Sequence, residues 1–398
     1  MHGVAPPQLR AAQAGISLVE TLVALVLGLA MVSVAFNLYV SNRAVFRQIE
    51  AMVRLQESAS IAAALLETNI RHAAGTLCRN NPPTTTLLNA PNGYAYALHS
   101  PQKPYAYWES KEGHGLLGLH GYESTTPDPI VGGDREAGDS ISIVSDNMGA
   151  VARVTGLATY TSSNFGLTGS YTFPVDNGTK FPVGTVAMAC DYTRAVLFQV
   201  TGSTASTITL QANMGASPSP GNCAVTMRRR VNPGEAVAAM DGNYRCAGGS
   251  DPTGYLSSMY TFGPGSMIGE HTFNHWYIGK KTSTSACCSL RRFSTVYNAT
   301  GVDTKDEEIL ENVTDMQITY LQGLLDTGYP FNKLYYSHTE LVENFNYSYR
   351  GVTAVRITLT LTSPEKVGLA ANNTAGAATY TIPINVAIRA RMPGVVRR

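Results

Sequence analysis

From Ile16 to Val40 almost every position is apolar. From Ser41 the apolar positions thin to every third or fourth, and beyond residue 73 they alternate with polar ones. The three patterns predict three kinds of structure. The first is long enough to cross a bilayer, which takes about 20 apolar residues in a helix, and Glu20 is its only charge. The second places Val45, Ile49, Met52, Leu55, Ala59, Ala62, Leu66 and Ile70 on one face. Such a stripe marks an amphipathic helix that packs on something, here the chain's own globular domain. No Pro or Gly interrupts 41–72; Gly75 and the run from Asn80 to Pro83 end it. Residues 16–72 therefore read as one helix of about 55 residues, or about 80 Å at 1.5 Å per residue.

The third pattern is a series of short strands bounded by Gly, Pro, Asn and Ser. "DSISIVSD" puts Ile141 and Ile143 on one face, "TVAMACD" and "RAVLFQVTG" form two strands around Asp191, and "STITLQA" aligns Ile208 with Leu210. "DMQITYLQ" alternates Met316, Ile318 and Tyr320. "AVRITLTLT" turns Val355, Ile357, Leu359 and Leu361 inward, and "YTIPINVAIRAR" answers with Tyr380, Ile382, Ile384, Val386 and Ile388. Pro383 falls on the opposite face of that last run, which places it at a sheet edge or beside a bulge. A small, polar connection, 363–379, joins the last two. The fold class is thus α+β: a long helix, 16–72, with its membrane-spanning part at 16–40, packed on antiparallel sheets in 73–398, as one β-rich domain or two subdomains.

Composition narrows the setting. A net charge of +1 over 398 residues gives no imbalance to attract nucleic acid. Charged residues are only 14 % of the chain, and Gly, Ser, Thr, Asn and Tyr take their place, a texture of extracytoplasmic β-rich domains. Six cysteines, Cys78, Cys190, Cys223, Cys246, Cys287 and Cys288, all follow the apolar helix. An even number beyond a span points to disulfides in an oxidising compartment, with 15 connectivities open. The adjacent Cys287 and Cys288 are expected to bond to two different partners. The leader "MHGVAPPQLRAAQAG" carries Arg10 and no acid, so it stays cytoplasmic by the positive-inside tendency. Cleavage as a secretory signal is disfavoured, because such apolar regions run about 7–15 residues to a small-residue cut, and none closes this one.

Candidate chemistry changes little. His271 and His275 stand at i, i+4 in "EHTFNHWYIG", but that segment reads as a strand, where the two lie about 13 Å apart and do not share an ion. "EGHGLLGLHG" holds His114 and His120 in what reads as a glycine-rich loop. "IGKKTS" lacks the first glycine of a phosphate loop, Asn274 standing there, and "DTKDEE" from Asp303 lacks the order of a calcium loop and reads as a solvated acidic turn. No G-x-S-x-G elbow occurs. No enzyme, metal or cofactor is expected. Tyr105, Tyr107 and Trp108, in "KPYAYWES", form an aromatic cluster suited to a contact surface, since such rings offer area at low entropic cost.

What remains is Glu20. A lone carboxylate in a bilayer costs about 2.5–3.5 kcal/mol on insertion scales, and a plain anchor has no use for it. Gly15, Ile16, Ser17, Leu18, Val19 and Glu20 resemble the class III signal of type IV pilins: a leader ending in glycine, then a glutamate at the fifth mature position of an apolar helix. "GDSISIVSD", "VAMACDYTRAVLFQVTG", "EEILENVTDMQITY", "VTAVRITLTL" and "INVAIRAR" occur in the order seen in PilW-type minor pilins, with inserts near 210–270 and 325–348 that are not similar. The resemblance implies a leader, 1–15, cut by a prepilin peptidase between Gly15 and Ile16, and methylation of the new N-terminus of Ile16. It implies an inner-membrane subunit with a periplasmic domain, carried by the assembly platform to the pilus surface beside other minor pilins and the major pilin. In this setting Glu20 pairs with the N-terminal amine of a neighbour, which offsets the cost of burying both charges. Ile16 and Asn37 depart from the phenylalanine or methionine and the proline common in major pilins. Two other readings share this N-terminus: a J-like pseudopilin of type II secretion, and a surface adhesion module mounted on a pilin helix.

Overall fold

The computed structural model describes residues 17–73, 77–78, 84–88, 118–163, 168–193, 195–212, 221–222, 225, 260–284, 287–322, 334–345, 349–366 and 376–389. Helix α1 runs Leu18–Arg71, 54 residues without a break. Backbone contacts divide the chain into one unit of Met1–Arg54 with Ser363–Ala378, and a second of Leu55–Thr362 with Thr379–Arg398. The boundary inside α1 is also where its burial changes. Leu55, Ala59, Ala62, Leu66 and Ile70 are buried, whereas Val45 is 39 % and Ile49 54 % exposed. The stripe expected from Val45 onward is therefore buried only from Leu55. The two alanines leave room for a close approach, and the larger side chains above and below them supply the area.

Strands β1 (Thr84–Thr86), β2 (Leu119–Tyr122), β3 (Arg135–Arg153), β4 (Thr159–Ser163), β5 (Thr168–Pro174), β6 (Val186–Cys190), β7 (Ala195–Gln199), β8 (Gly202–Ser203) and β9 (Thr207–Gln211) come first. They are followed by β10 (Met267–Lys280), β11 (Cys287–Asn298), β12 (Gly301–Glu311), β13 (Val313–Gln322), β14 (Tyr335–Tyr336), helix α2 (His338–Phe345), β15 (Val352–Lys366) and β16 (Ala377–Ala387). The largest sheet has the order β1-β7-β6-β10-β11-β12, with β3 pairing β10 and β2 pairing β3. β10 is its hub: Met267–Glu270 pair with β6, Asn274–Lys280 with β11, and β3 lies along the other edge. Apart from the parallel β1–β7 pair, the pairing is antiparallel. Two four-stranded sheets complete the fold, ordered β14-β13-β15-β16 and β4-β5-β9-β8.

The alternation read from sequence explains the β14-β13-β15-β16 sheet. In the β13–β15 pair, Met316 lies opposite Leu359, Ile318 opposite Ile357 and Tyr320 opposite Val355, and all six are buried. β16 is the edge strand of that sheet, where Pro383 has no neighbour to donate to. Burial rises along it: Ile384, Val386 and Ile388 are buried, but Tyr380 and Ile382 only half so. The hairpin β6–β7 is buried at every position. Ala187, Ala189, Val196 and Phe198 enter one core with Phe173, Phe262 and Ile208. Val186, Met188, Cys190, Ala195 and Leu197 enter another with Tyr122, Phe273 and Tyr277. With hydrophobic residues on both of its faces, the hairpin reads as a continuous apolar run.

Three expectations need correction. "DTKDEE" is not a turn but the middle of β12. Its acids are tolerated in a strand because they face the arginines of β11: Arg291 Nη2 lies 3.0 Å from Asp306 Oδ2, and Glu307 pairs with Arg292 and, at 2.6 Å, with Lys305. The end of "EGHGLLGLHG" is not loop but β2, ordered by its ladder with β3, which sets His120 opposite Ser142. Cys287 and Cys288 bond to each other rather than to separate partners. Cys78 bonds Cys190 on β6, closing a separation of 112 residues, while Cys223 and Cys246 lie outside the described residues.

Candidate functional site

Glu20 stands in the first turn of α1. Around it the helix surface is apolar and exposed: Leu18 77 %, Leu22 56 % and Val23 54 %. The helix side chains that form ion pairs, Arg54–Glu50 and Arg71–Glu67, lie in the distal part, and among the described residues none reaches Glu20. An 18-residue window of mean hydropathy 2.3 makes α1 long and apolar enough to cross a membrane. The polar side chains beside it are the hydroxyls of Ser17 and Thr21, and Thr21 Oγ1 already donates to the Leu18 carbonyl at 2.8 Å. Gly15, Ile16, Tyr105, Tyr107 and Trp108 lie outside the described residues.

The β domain holds a second polar constellation that the sequence did not disclose. His275 on β10 and Ser142 on β3 are cross-strand neighbours, and Ser142 Oγ lies 2.8 Å from His275 Nδ1. His275 Nε2 in turn lies 2.9 Å from Asp128 Oδ2. Asp128 Oδ1 accepts the Ile130 N–H at 2.8 Å, Oδ2 accepts the Ser140 hydroxyl, and Arg135 Nη1 stands 3.9 Å away. Burial alone pushes the Asp128 carboxyl up, but His275 beside it and the hydrogen bonds from His275, Ser140 and Ile130 hold it well below the usual carboxylate range.

Ser–His–Asp connectivity invites comparison with a nucleophile relay. Here, however, Ser142 and His275 are 0 % exposed and Asp128 1 %, so a substrate has no path to the hydroxyl. The arrangement suits a staple instead: it fastens the 124–134 connection to β3 and β10 with every buried polar group of the carboxylate satisfied. His271, four residues earlier on β10, goes to a different acid, its Nδ1 3.2 Å from Asp146 Oδ1. Burial raises the Asp146 carboxyl, against the opposing pull of His271. The two histidines thus serve separate carboxylates.

Helix α2 was also missed. Its signal is present in "SHTE": Ser337 N–H donates to Glu340 Oε2 at 2.8 Å and Glu340 N–H to Ser337 Oγ at 3.3 Å, a reciprocal capping box. The geometry defines an α+β protein, a long apolar helix leading into a β-rich domain of mostly antiparallel sheets. No protein-family model, no curated protein and no solved structure matches the chain.

Proposed function

We propose that this chain is a minor pilin of the PilW type, a membrane-inserted subunit that joins and helps initiate a type IV pilus at or near its tip. The observation that carries the reading is Glu20: a single carboxylate in the first turn of a helix whose surface from Leu22 to Val40 is almost wholly apolar and exposed. The exposed first part of α1 holds the subunit in the inner membrane, with the β domain in the periplasm. A prepilin peptidase then cuts between Gly15 and Ile16 and methylates Ile16. The new ammonium and the Glu20 carboxylate of a neighbouring subunit each cost several kcal/mol unpaired in lipid, and pairing offsets both. One axial step alone brings them together, so the pair sets the register in which this subunit meets other minor pilins and the major pilin.

The test is mass spectrometry of the N-terminal peptide from sheared surface filaments and from membranes, with Glu20→Ala beside the unaltered protein. A methylated peptide beginning at Ile16 in the filament fraction, lost on Glu20→Ala while the membrane pool persists, is the expected result. The same mature peptide in membranes alone supports a secretion pseudopilin instead. A peptide that keeps residues before Ile16 in both fractions overturns the reading.

A further inference from the structure

β2 has four residues, yet it is gripped from several sides. His120 packs its ring on Tyr122 at 4.5 Å between centroids, Tyr349 at 4.7 Å and His338 at 5.4 Å. His338 is the first residue of α2, and Tyr349 follows α2 in a short 3-10 turn, Tyr349–Gly351. The Tyr349 hydroxyl donates to the Gly121 carbonyl at 3.2 Å and bonds His338 Nδ1. Gly121 must be glycine for this: a Cβ there would fall 1.6 Å from the Tyr320 hydroxyl and 3.2 Å from that of Tyr349.

A second joint holds α2 to the residue after β2. Thr339 N–H donates to Glu123 Oε1 at 2.9 Å and its hydroxyl to Oε2 at 2.6 Å. α2 is therefore attached to β2 through one carboxylate joint and one cage of imidazole and phenol rings. Beneath it, Tyr336 and Leu341 are buried.

We propose that α2 is an acid-released clasp: protonation of His120 and His338 frees the helix, His338–Phe345, from β2 while the sheets remain folded. An imidazolium at His120 is repelled by two other imidazoles. His120 faces His338 on α2 and His275 on β10, and the nearest carboxylate, Asp128, already serves His275. Around the rest of the cage stand Glu123, which faces His338 and also binds Thr339, and Asp139 on β3, which accepts the N–H groups of Ser124 and Ile318. Burial, then the neighbouring histidines, pushes His120 down to about 3, and burial lowers His338.

The sign follows. Both histidines bind protons more weakly with α2 docked than when exposed, so docking is at full strength above about pH 6.5 and weakens as pH falls toward 3. The Glu123 carboxyl, pushed up by burial but lowered further by its bonds to Thr339, adds its own loss only below about pH 4.5. No histidine stands in the register of the β13–β15 ladder, which is why these two strands stay closed.

Hydrogen–deuterium exchange of the full-length chain in detergent, corrected for the intrinsic pH dependence of exchange, tests this. Between pH 7.5 and 5 the protection of 338–345 should fall at least tenfold, with peptides covering 316–320 and 355–361 unchanged. His120→Phe, which keeps a ring but cannot charge, should flatten the response, and Glu123→Gln should leave its midpoint in place. Protection of 338–345 that is independent of pH, or lost in step with the strands, overturns the proposal. Should His120→Phe not fold, carbon NMR of the unaltered protein decides: ordinary titration of both imidazoles near 6.5 sinks it, and depressed values sustain it. The inference does not rest on the pilus assignment.

Discussion

The first and last parts of α1 share backbone and propensity but not surroundings. Leu25 and Leu29 are each 62 % exposed, whereas Leu66 and Ile70 are 0 %. Helix propensity cannot tell these leucines apart. What separates them is the neighbouring polar sequence: with no charge but Glu20 up to Arg43, the first part presents apolar surface all round, and from Ser41 the charges confine it to one stripe. The first part is therefore apolar on every side, as a membrane-crossing helix is, and the last part buries its stripe in the β domain. The same helix is long and apolar enough at one end to cross a membrane and is a core element at the other.

The contrast is open to attack at three points. The largest effect is expected at the tie below the helix. Cys78 follows α1 by seven residues and closes a loop of sequence separation 112 onto β6, for which loop entropy predicts about 4 to 5 kcal/mol. Replacing Cys78 and Cys190 together by Ser should lower the denaturation midpoint of the β domain accordingly. A change under about 1 kcal/mol, far short of that, would mean that the buried stripe alone fixes the distal helix.

Next comes Leu66→Ala, which removes a fully buried side chain and should cost about 2–5 kcal/mol, read by urea unfolding followed through tyrosine fluorescence. The smallest effect belongs to Ile49→Ala. Ile49 sits on the same stripe but is 54 % exposed, and its loss should change the unfolding free energy by no more than about 0.5 kcal/mol. If Ile49→Ala costs as much as Leu66→Ala, the two parts of α1 are not distinct.

Much of the β domain was legible because alternation with period two is written residue by residue. Val355, Ile357, Leu359 and Leu361 announced both the strand and its inward face, and Met316, Ile318 and Tyr320 supplied the opposing set. Pro383 announced an edge. Where the reading failed, a partner distant in sequence had decided the outcome. Asp303 to Glu308 looked like a solvated turn because nothing local shows that Arg291 and Arg292 will lie across from them. His120 looked like a loop residue because β2 exists only by pairing with β3. The capping box at Ser337 and Glu340 was the one local signal present and not used.

By itself, then, the chain determined what nearest-neighbour chemistry can determine: an apolar helix that becomes amphipathic after Ser41, the faces of its longest strands, and a lone carboxylate near the start of the apolar run. Those properties depend on residues within a turn or two, whose spacing is set by backbone geometry. The tertiary structure alone decided that Asp128 would meet His275 across 147 positions, that the β6–β7 hairpin would divide two cores, and that α2 would be held to β2 by Glu123 and a cage of rings. These depend on which strands become neighbours. That choice belongs to the burial and hydrogen-bonding of the whole domain at once, where contacts separated by a hundred residues count as much as contacts separated by four.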